Sequence, residues 1–279
     1  MAQRPVEDMD ISLLAAPARG GVVDVPGQER LVAKIFRAPC RPDQSEHLRQ
    51  LIALPHLMGA SDRDIVTSGS CWPLAVLTDG DGAVVGCLLP KAPAKFLVDL
   101  TAPSGRSVVR YLEIDWLANP DAVLEKRGLP AQSLRSRTEV CRGLAAVAAV
   151  LERHGLVYSD WSYSNSFWSS EDCSAYVIDI DGCVPASGPN LHQPGWEDPL
   201  TSSGDDADTY VDRYRFALLV ARCLTGRRRA EHVMSAVRDG TELDASPDLR
   251  DMLLRMLLSP ARRERPSIQQ LLGVLRASC

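Results

Sequence analysis

The sequence predicts an α+β fold in which a small, β-rich region is followed by a larger, helical region. Three observations lead to this prediction. Short runs of apolar and β-branched residues, one pair of them joined by a Gly-rich turn, occupy the chain up to residue 90. Apolar residues at helical spacing dominate from residue 105 onward. Between the two regions, Pro90 and Pro93 suit a rigid connection.

The β-rich region is predicted to contain four strands, at about 22–25, 30–36, 73–78 and 83–89. The last two strands form a hairpin, because residues 79–82 read Asp-Gly-Asp-Gly, which is a turn sequence. A helix over residues 43–53 is inserted between the second and third strands. It has Asp43 in its first turn and an apolar face that contains Leu48 and Leu51.

The helical region is predicted to contain helices at about 105–117, 133–154, 206–225, 229–238 and 247–258, and another from 267. Gly226 is expected to stop the third of these, because Gly is common just after the last helical residue. The main loops are expected at 128–134 and at the Pro- and Gly-rich stretch 183–204.

The chain length is consistent with one domain of two lobes. At 279 residues it approaches the size at which single hydrophobic cores stop growing. We expect residues 1–15 to form a loose leader and residues 16–279 to form the domain. The N-lobe would span about 16–90 and the C-lobe about 94–279.

Charge and composition exclude several classes of protein. A net charge of −5 argues against general nucleic-acid binding. The chain has no long apolar run, so no membrane span is expected. Its N-terminus is polar and the apolar stretch 11–16 is too short for a signal peptide, so we expect a cytoplasmic protein. The eight cysteines include no C-x-x-C pair, which favours free thiols in a reducing compartment.

Residues 158–182 contain polar side chains at a spacing that suits phosphoryl transfer. Asp160 is followed five positions later by Asn165. Asp179 ends a hydrophobic run, with Asp181 and Gly182 directly behind it. One carboxylate would orient an acceptor hydroxyl, while an amide oxygen and a second carboxylate would hold the metal that bridges the phosphates. Alone, the Asp-x4-Asn pattern also fits a turn in which both side chains bond to the backbone.

This stretch resembles the catalytic loop and metal-binding segment of the protein-kinase superfamily, and specifically a diverged bacterial branch of it. The resemblance implies a bilobal fold, ATP as the phosphate donor and Mg²⁺ as the cofactor. It implies that Asp160 is the catalytic carboxylate and that Asn165 and Asp179 hold metal. Asp181 would add a second metal contact or remain at the rim of the site, facing solvent.

Lys34 lies in the strand-like run Leu-Val-Ala-Lys-Ile-Phe and resembles the kinase lysine that contacts the α- and β-phosphates. A lysine there is also the expected solvent-facing member of an alternating strand. Gly20 and Gly21 precede a strand, as a phosphate-covering loop would, although the G-x-G-x-x-G pattern is absent. Glu46 is the candidate helix partner of Lys34, but it also suits a solvated position in the first turns of its helix.

Three further landmarks follow in the order found in kinases. Asp212 begins a helix, and in that family the equivalent Asp bonds to the catalytic-loop backbone. The segment 193–200 resembles the end of an activation segment, and 259–267 resembles the closing Arg-Pro segment. The family's Glu at the end of the activation segment is Leu200 here. Glu197 and Asp198 are therefore both possible partners for Arg265.

Departures from the family leave three functions open. Tyr158 and Ser159 replace the His-Arg before the catalytic Asp, and Ser162 replaces the following Lys. The first function is a serine/threonine protein kinase of bacterial signalling, acting on a protein substrate or with a regulatory partner chain. The second is a small-molecule phosphotransferase similar to aminoglycoside or choline kinases. The third is a pseudokinase that binds nucleotide or a partner protein.

Overall fold

The computed structural model describes residues 8–10, 20–190, 194–202, 204–240 and 246–278. The chain forms two compact units. The amino-terminal unit contains the residues up to Ala92 together with Ile178–Gly182, and the carboxy-terminal unit contains Pro93–Val177 and the residues from Cys183 onward. Of the predicted leader, only residues 8–10 fall among the described residues. Helices and strands are both abundant, which confirms the α+β class.

The amino-terminal unit is built on one five-stranded sheet with the strand order β1-β4-β5-β3-β2. Its strands are β1 (Met9–Asp10), β2 (Val22–Val25), β3 (Gln28–Ile35), β4 (Ala75–Thr78) and β5 (Val84–Pro90). Neighbouring strands are antiparallel except β1 and β4, which are parallel. The four strands predicted from the sequence are therefore confirmed, while β1 was not predicted.

Strand β3 alternates between a buried and a more exposed face. Ala33 and Ile35 are buried in the core of the sheet, where they pack with residues of β4 and β5. Side chains of a strand alternate between its two faces, so Lys34 points away from this core. Lys34 pairs across the sheet with Cys87 of β5. The alternating pattern in the sequence thus places Lys34 on the face that is available for function.

Gly86 on β5 allows a close approach between β5 and β3. It pairs with Ile35 on one side and with Leu77 on the other. A Cβ atom on Gly86 would lie 2.3 Å from the carbonyl oxygen of Lys34. Only glycine therefore fits at this position without moving the strand that carries Lys34.

Helices α1 (Pro42–Leu57) and α2 (Ala60–Gly69) lie between β3 and β4 in the chain. The predicted helix over 43–53 is confirmed. Helix α1 continues for one further turn, which contains Pro55 and ends at Leu57. Helix α2 was not predicted because it buries only Val66 and has no apolar stripe. The predicted turn at 79–82 is confirmed, with the Asp79 N–H donating to the Ala83 carbonyl (3.0 Å).

The carboxy-terminal unit combines helices with short two-stranded sheets. Its helices are α3 (Asp121–Glu125), α4 (Leu134–Arg153), α5 (Thr209–Thr225), α6 (Ala230–Asp239), α7 (Pro247–Leu258) and α8 (Ile268–Ala277). Its strands are β6 (Leu97–Thr101), β7 (Ser107–Tyr111), β8 (Leu156–Val157), β9 (Ser166–Trp168), β10 (Ala175–Val177), β11 (Val184–Pro185), β12 (Ser187–Gly188) and β13 (Ala207–Asp208). The strand pairs are β6–β7, β8–β11, β9–β10 and β12–β13.

The predicted helices from residue 133 onward are confirmed, with one shift at the start of α5. This helix begins at Thr209 rather than near 206, because the Asp208 side chain accepts hydrogen bonds from the N–H groups of Tyr210 and Val211 and caps it. Gly226 ends α5 with a positive φ of 62°, as predicted. Almost the whole of α5 from Val211 to Leu224 is buried, so it is the central helix of this unit.

The helix predicted over 105–117 is wrong. Residues 97–111 form the antiparallel hairpin β6–β7, and Ile114–Trp116 form a 3-10 turn. Ser107–Tyr111 reads Ser-Val-Val-Arg-Tyr, and β-branched and aromatic residues favour strands. Gly105 closes the hairpin with a positive φ of 78°. No helix among the described residues is both long and apolar enough to cross a membrane.

Candidate active site

Lys34 on β3 is the centre of a cluster of charged side chains. Its Nζ atom lies 3.1 Å from Oδ1 of Asp179. The same atom lies 2.9 Å from each carboxylate oxygen of Asp181. All three residues belong to the amino-terminal unit, because Ile178–Gly182 is part of it. The structure thus brings together three predicted site residues, hereafter the Lys34 cluster, although the first two are 145 positions apart.

The chain turns sharply where it carries the two carboxylates. Asp179 has a positive φ of 58°, and Ile180–Gly182 form a 3-10 turn. The Gly182 N–H donates to the Asp179 carbonyl oxygen (3.1 Å), and Ile180 is fully buried. Asp adopts a left-handed backbone more readily than most other residues with a side chain. This turn lets two carboxylates that are two positions apart reach the same ammonium group.

The exposure of the two carboxylates differs from the sequence prediction. One of the two expectations for Asp181 placed it at the rim of the site, facing solvent. The side chain of Asp181 is only 5% exposed, whereas that of Asp179 is 44% exposed. The expectation was wrong because the turn begins at Asp179 itself, which brings Asp181 inward.

The electrostatics of the Lys34 cluster are dominated by burial and by mutual attraction. Burial lowers the pKa of Lys34, but the carboxylates of Asp181 and Asp179 raise it by more, so the pKa lies above its ordinary value. Burial raises the pKa of Asp181, and the nearby ammonium offsets part of that effect. With all three groups ionised, the cluster carries one net negative charge and attracts cations.

The donor chemistry of this cluster suits Mg²⁺ better than a transition metal. Among the described residues there is no group of three or more His, Cys, Asp or Glu side chains that could hold a metal. Mg²⁺ does not need such a group, since it is usually bound by one or two carboxylates together with substrate phosphates. Asp179 offers a carboxylate of which only Oδ1 is bonded to Lys34. The residues present therefore fit a magnesium ion.

Glu46 does not join the Lys34 cluster. It lies on the exposed side of α1, and its carboxylate accepts a hydrogen bond from Nε2 of Gln50 one turn later (3.0 Å). Of the two interpretations of Glu46, the solvated glutamate is the one that the structure bears out. The carboxylate partners of Lys34 therefore lie outside α1.

Gly20 and Gly21 lie at the start of the strand ladder, next to the end of β3. The Gly20 N–H donates to the Ile35 carbonyl (2.9 Å), and the Ile35 N–H donates to the Gly21 carbonyl (2.8 Å). Gly20 has a positive φ of 79°. Its N–H group is thus used within the sheet. The predicted turn before β2 is present, and residues 18 and 19 of the motif lie outside the described residues.

Asp160 and Asn165 lie in one tight loop of the carboxy-terminal unit, between β8 and β9. Nδ2 of Asn165 donates to the Asp160 carbonyl oxygen (3.0 Å). Ser162 donates its N–H to the same carbonyl (2.7 Å), and Asp160 donates its own N–H to Tyr158 (2.8 Å). Asn165 is buried and Asp160 partly buried. Oδ1 of Asn165 accepts a hydrogen bond from the Ser164 hydroxyl (3.3 Å). The loop is therefore ordered by its own polar groups.

Asp212 anchors the backbone that leads into this loop. It is buried at the start of α5, where its carboxylate oxygens accept the N–H groups of Tyr158 (2.8 Å) and Ser159 (2.6 Å). Burial raises the pKa of Asp212 to about 6, although the two N–H donors and Arg215 counteract the rise. The contact that the resemblance implied for Asp212 is therefore present.

Arg215 is a part of this network that sequence reasoning missed. It is buried, and its guanidinium donates to the carbonyls of Ser159 and Trp196 and to Oδ1 of Asn190 (2.6 Å). Its position three residues after Asp212 puts both side chains on the same face of α5. This spacing was the signal in the sequence that could have identified Arg215. Arg215 joins the loop around Asp160 to the segment that contains Trp196.

Asp198 is the partner of Arg265. Nη1 and Nη2 of Arg265 each lie 2.6 Å from one oxygen of Asp198, and both side chains are fully buried. Burial raises the pKa of Asp198, but the hydrogen bonds from Arg265 and other donors hold it below its usual range. Glu197, the alternative candidate, instead accepts the Gly195 N–H (2.6 Å).

In comparisons with models of known protein families and with curated proteins, no match to the chain was found.

Proposed function

We propose that this protein is a kinase-like phosphotransferase that transfers the γ-phosphoryl group of Mg·ATP to serine or threonine hydroxyls of a protein. The observation that carries this proposal is the Lys34 cluster. A strand lysine and two carboxylates that follow another strand form a preassembled group within one unit. A lysine ammonium binds phosphate oxygens as a compact point charge, and the carboxylates suit the accompanying metal.

In the amino-terminal unit, Lys34 would bind the α- and β-phosphates and Asp179 would hold the magnesium ion. Asp179 suits this role because its side chain is half-exposed and uses only one oxygen for Lys34. In the carboxy-terminal unit, Asn165 would offer a metal ligand of its own, since Nδ2 is bonded to the loop and Oδ1 accepts only a long hydrogen bond from the Ser164 hydroxyl (3.3 Å). When bound, magnesium neutralises charge that develops on the phosphates.

Asp160 would orient the acceptor hydroxyl and accept its proton. A carboxylate in this role must be held in one position, since misplacement by about 1 Å can slow a reaction about 100-fold. The bonds of Asn165 to the Asp160 backbone and of Asp212 to the two preceding residues restrain the loop in this way.

A protein acceptor is favoured over a small molecule by the segment around Trp196 and Asp198. This segment is anchored to α5 through Arg215 and to the connection between α7 and α8 through Arg265. The resemblance gives these features to protein kinases, and small-molecule kinases generally lack them. An anchored surface of this kind is more than a small acceptor requires.

The test is phosphate incorporation from labelled ATP into the protein itself and into a generic protein substrate. Asp160→Ala should lower incorporation by at least about 100-fold, because a positioned base contributes that much. Asp206→Asn, a change of an exposed acid, should not. Incorporation by Asp160→Ala at the wild-type rate contradicts the proposal. A phosphorylated small molecule in place of phosphoprotein, seen by mass spectrometry, would move the assignment to the small-molecule class.

A second candidate is nucleotide binding without phosphoryl transfer. It is favoured by the single net negative charge of the Lys34 cluster, which attracts Mg²⁺ less than two unpaired carboxylates would. The absence of a cation at Ser162 also favours it. A thermal shift with Mg·ATP and no phosphate incorporation under any condition would support this candidate.

A further inference from the structure

We propose that Asp181 is the fixed positioning partner of Lys34, in place of a helix glutamate, and that this leaves Asp179 as the metal-binding carboxylate. The inference rests on the proposed function for the role of Asp179. The pairing of Lys34 itself stands on the geometry of the amino-terminal unit alone. It gives the two neighbouring carboxylates different tasks.

The Lys34 ammonium needs an anionic partner. Its side chain is only 24% exposed, and a charge withdrawn from water is stable only when it is paired and hydrogen-bonded. Helix α1 carries two acidic residues, and both are engaged elsewhere. Glu46 accepts from Gln50, and Asp43 bonds with Arg41. No acidic residue of α1 is therefore bonded to Lys34.

The two remaining carboxylates contact Lys34 in different ways. Both oxygens of Asp181 lie 2.9 Å from Nζ, so this side chain is fully committed to the lysine. Asp179 uses only Oδ1, at the longer distance of 3.1 Å. Asp181 is 5% exposed and Asp179 is 44% exposed. A buried carboxylate with both oxygens at the ammonium group fixes the position of the lysine. A half-exposed carboxylate has room for a ligand.

The position of Lys34 then depends on the turn at 179–182 and not on α1. Both the lysine strand and the turn belong to the amino-terminal unit. A rotation of α1 would leave the Lys34 cluster intact. This predicts that nucleotide affinity is insensitive to α1 and sensitive to Asp181.

The experiment measures the affinity for ATP of the full chain by calorimetry, with Mg²⁺ and with EDTA. Asp181→Asn should weaken binding at least about tenfold under both conditions, since it misplaces Lys34. Asp179→Asn should remove the gain that Mg²⁺ provides and leave metal-free binding within about twofold of wild type. Glu46→Gln is the matched control and should bind like wild type. Identical profiles for the two Asp variants, or a loss for Glu46→Gln as large as that for Asp181→Asn, overturn the proposal.

A second measurement needs no nucleotide. Urea unfolding of Lys34→Met, Asp181→Asn and the double variant should show a coupling of at least about tenfold in the unfolding constant. The corresponding double-mutant cycles of Lys34→Met with Asp179→Asn and with Glu46→Gln should show weaker coupling. Coupling no stronger for Asp181 than for Glu46 overturns the pairing. If wild type binds no nucleotide while the coupling to Asp181 is found, the pairing stands and the proposed function fails.

Asp181→Asn could prevent folding by leaving the lysine buried without its main partner. The double variant Lys34→Met/Asp181→Leu removes both charges and distinguishes this effect from general damage. A folded double variant supports the pairing. A double variant as unfolded as Asp181→Asn overturns it.

Discussion

The two units use charged residues in different ways. In the amino-terminal unit, the Lys34 cluster joins three side chains to one another, and two of the three are partly open to solvent. In the carboxy-terminal unit, Asp212 and Arg215 are buried and bond mainly to backbone N–H and carbonyl groups. Charges that bond to backbone fix the path of a loop, and charges that bond to each other near solvent can exchange partners with a ligand. We therefore expect substitutions of these charged residues to act mainly on stability in the carboxy-terminal unit and mainly on binding in the amino-terminal unit.

The largest effect on stability is expected from Asp198→Ala. It leaves the fully buried guanidinium of Arg265 without its carboxylate. Loss of one partner from such a pair lowers the free energy of unfolding by about 3–5 kcal/mol. Urea unfolding at pH 7 measures the change. Asp43→Ala removes the partner of Arg41 at an exposed site and should leave the midpoint unchanged. Equal midpoints for the two variants would remove the contrast between the buried pair and the exposed pair.

The second effect is a pH dependence due to Asp212. Its pKa is about 6 in the folded protein and near the ordinary 3.8 in the unfolded chain. Between these values the folded state binds a proton that the unfolded state does not, so this group stabilises the fold as the pH falls. Relative to Asp212→Asn, wild type should gain about 2 kcal/mol between pH 7 and pH 4. A difference between the two proteins that is constant over this range would show that Asp212 titrates normally.

A smaller loss is expected from Gly86→Ala, which tests whether strand spacing supports the Lys34 cluster. The new methyl group would meet the Lys34 carbonyl oxygen at 2.3 Å and push β5 from β3. Overpacking of this kind lowers the free energy of unfolding by about 1–3 kcal/mol. Gly80→Ala adds a methyl group where no atom lies within 4 Å and is the matched control. Thermal unfolding compares them, and an equal effect of both would argue against the tight approach.

The smallest effect is expected from Lys91→Ala. Lys91 pairs with Asp24 at the surface of the amino-terminal unit (2.6 Å), where the Asp24 side chain is 77% exposed. Exposed pairs contribute less than about 1 kcal/mol, and salt screens them. The urea midpoint should therefore change little at low salt and not at all at 0.5 M salt. A loss that persists at high salt would place this pair with the buried charges.

The sequence was informative where an element has a strong periodic pattern. The helices of the carboxy-terminal unit from residue 133 onward and strand β3 were predicted because apolar residues continue along each element. Helix α5 is buried on nearly all sides, while β3 buries one face. The prediction for residues 105–117 failed because apolar residues at 108, 109, 112 and 116 fall at helical spacing. There, the preference of Val108 and Val109 for strand outweighed the periodicity.

The residues of the Lys34 cluster were chosen from the sequence, but their contacts were not predicted from it. Lys34, Asp179 and Asp181 were all chosen from the sequence, but their arrangement depends on the left-handed backbone of Asp179, which no periodicity reveals. The choice between Glu197 and Asp198 for Arg265 stayed open for the same reason, since neighbours in a loop can each point inward. Long-range contacts of single side chains are set by the packing of whole elements.

The amino-terminal unit is discontinuous in sequence, and this affects its folding during synthesis. Residues leave the ribosome in order, and domains begin to fold as soon as their residues have emerged. The strands up to Pro90 emerge early, but Asp179 and Asp181 follow only after all of residues 93–177. Throughout that interval Lys34 has neither of its carboxylates. A nascent chain arrested before residue 179 should therefore have the sheet without the completed cluster, and translation past Gly182 is the step that completes it.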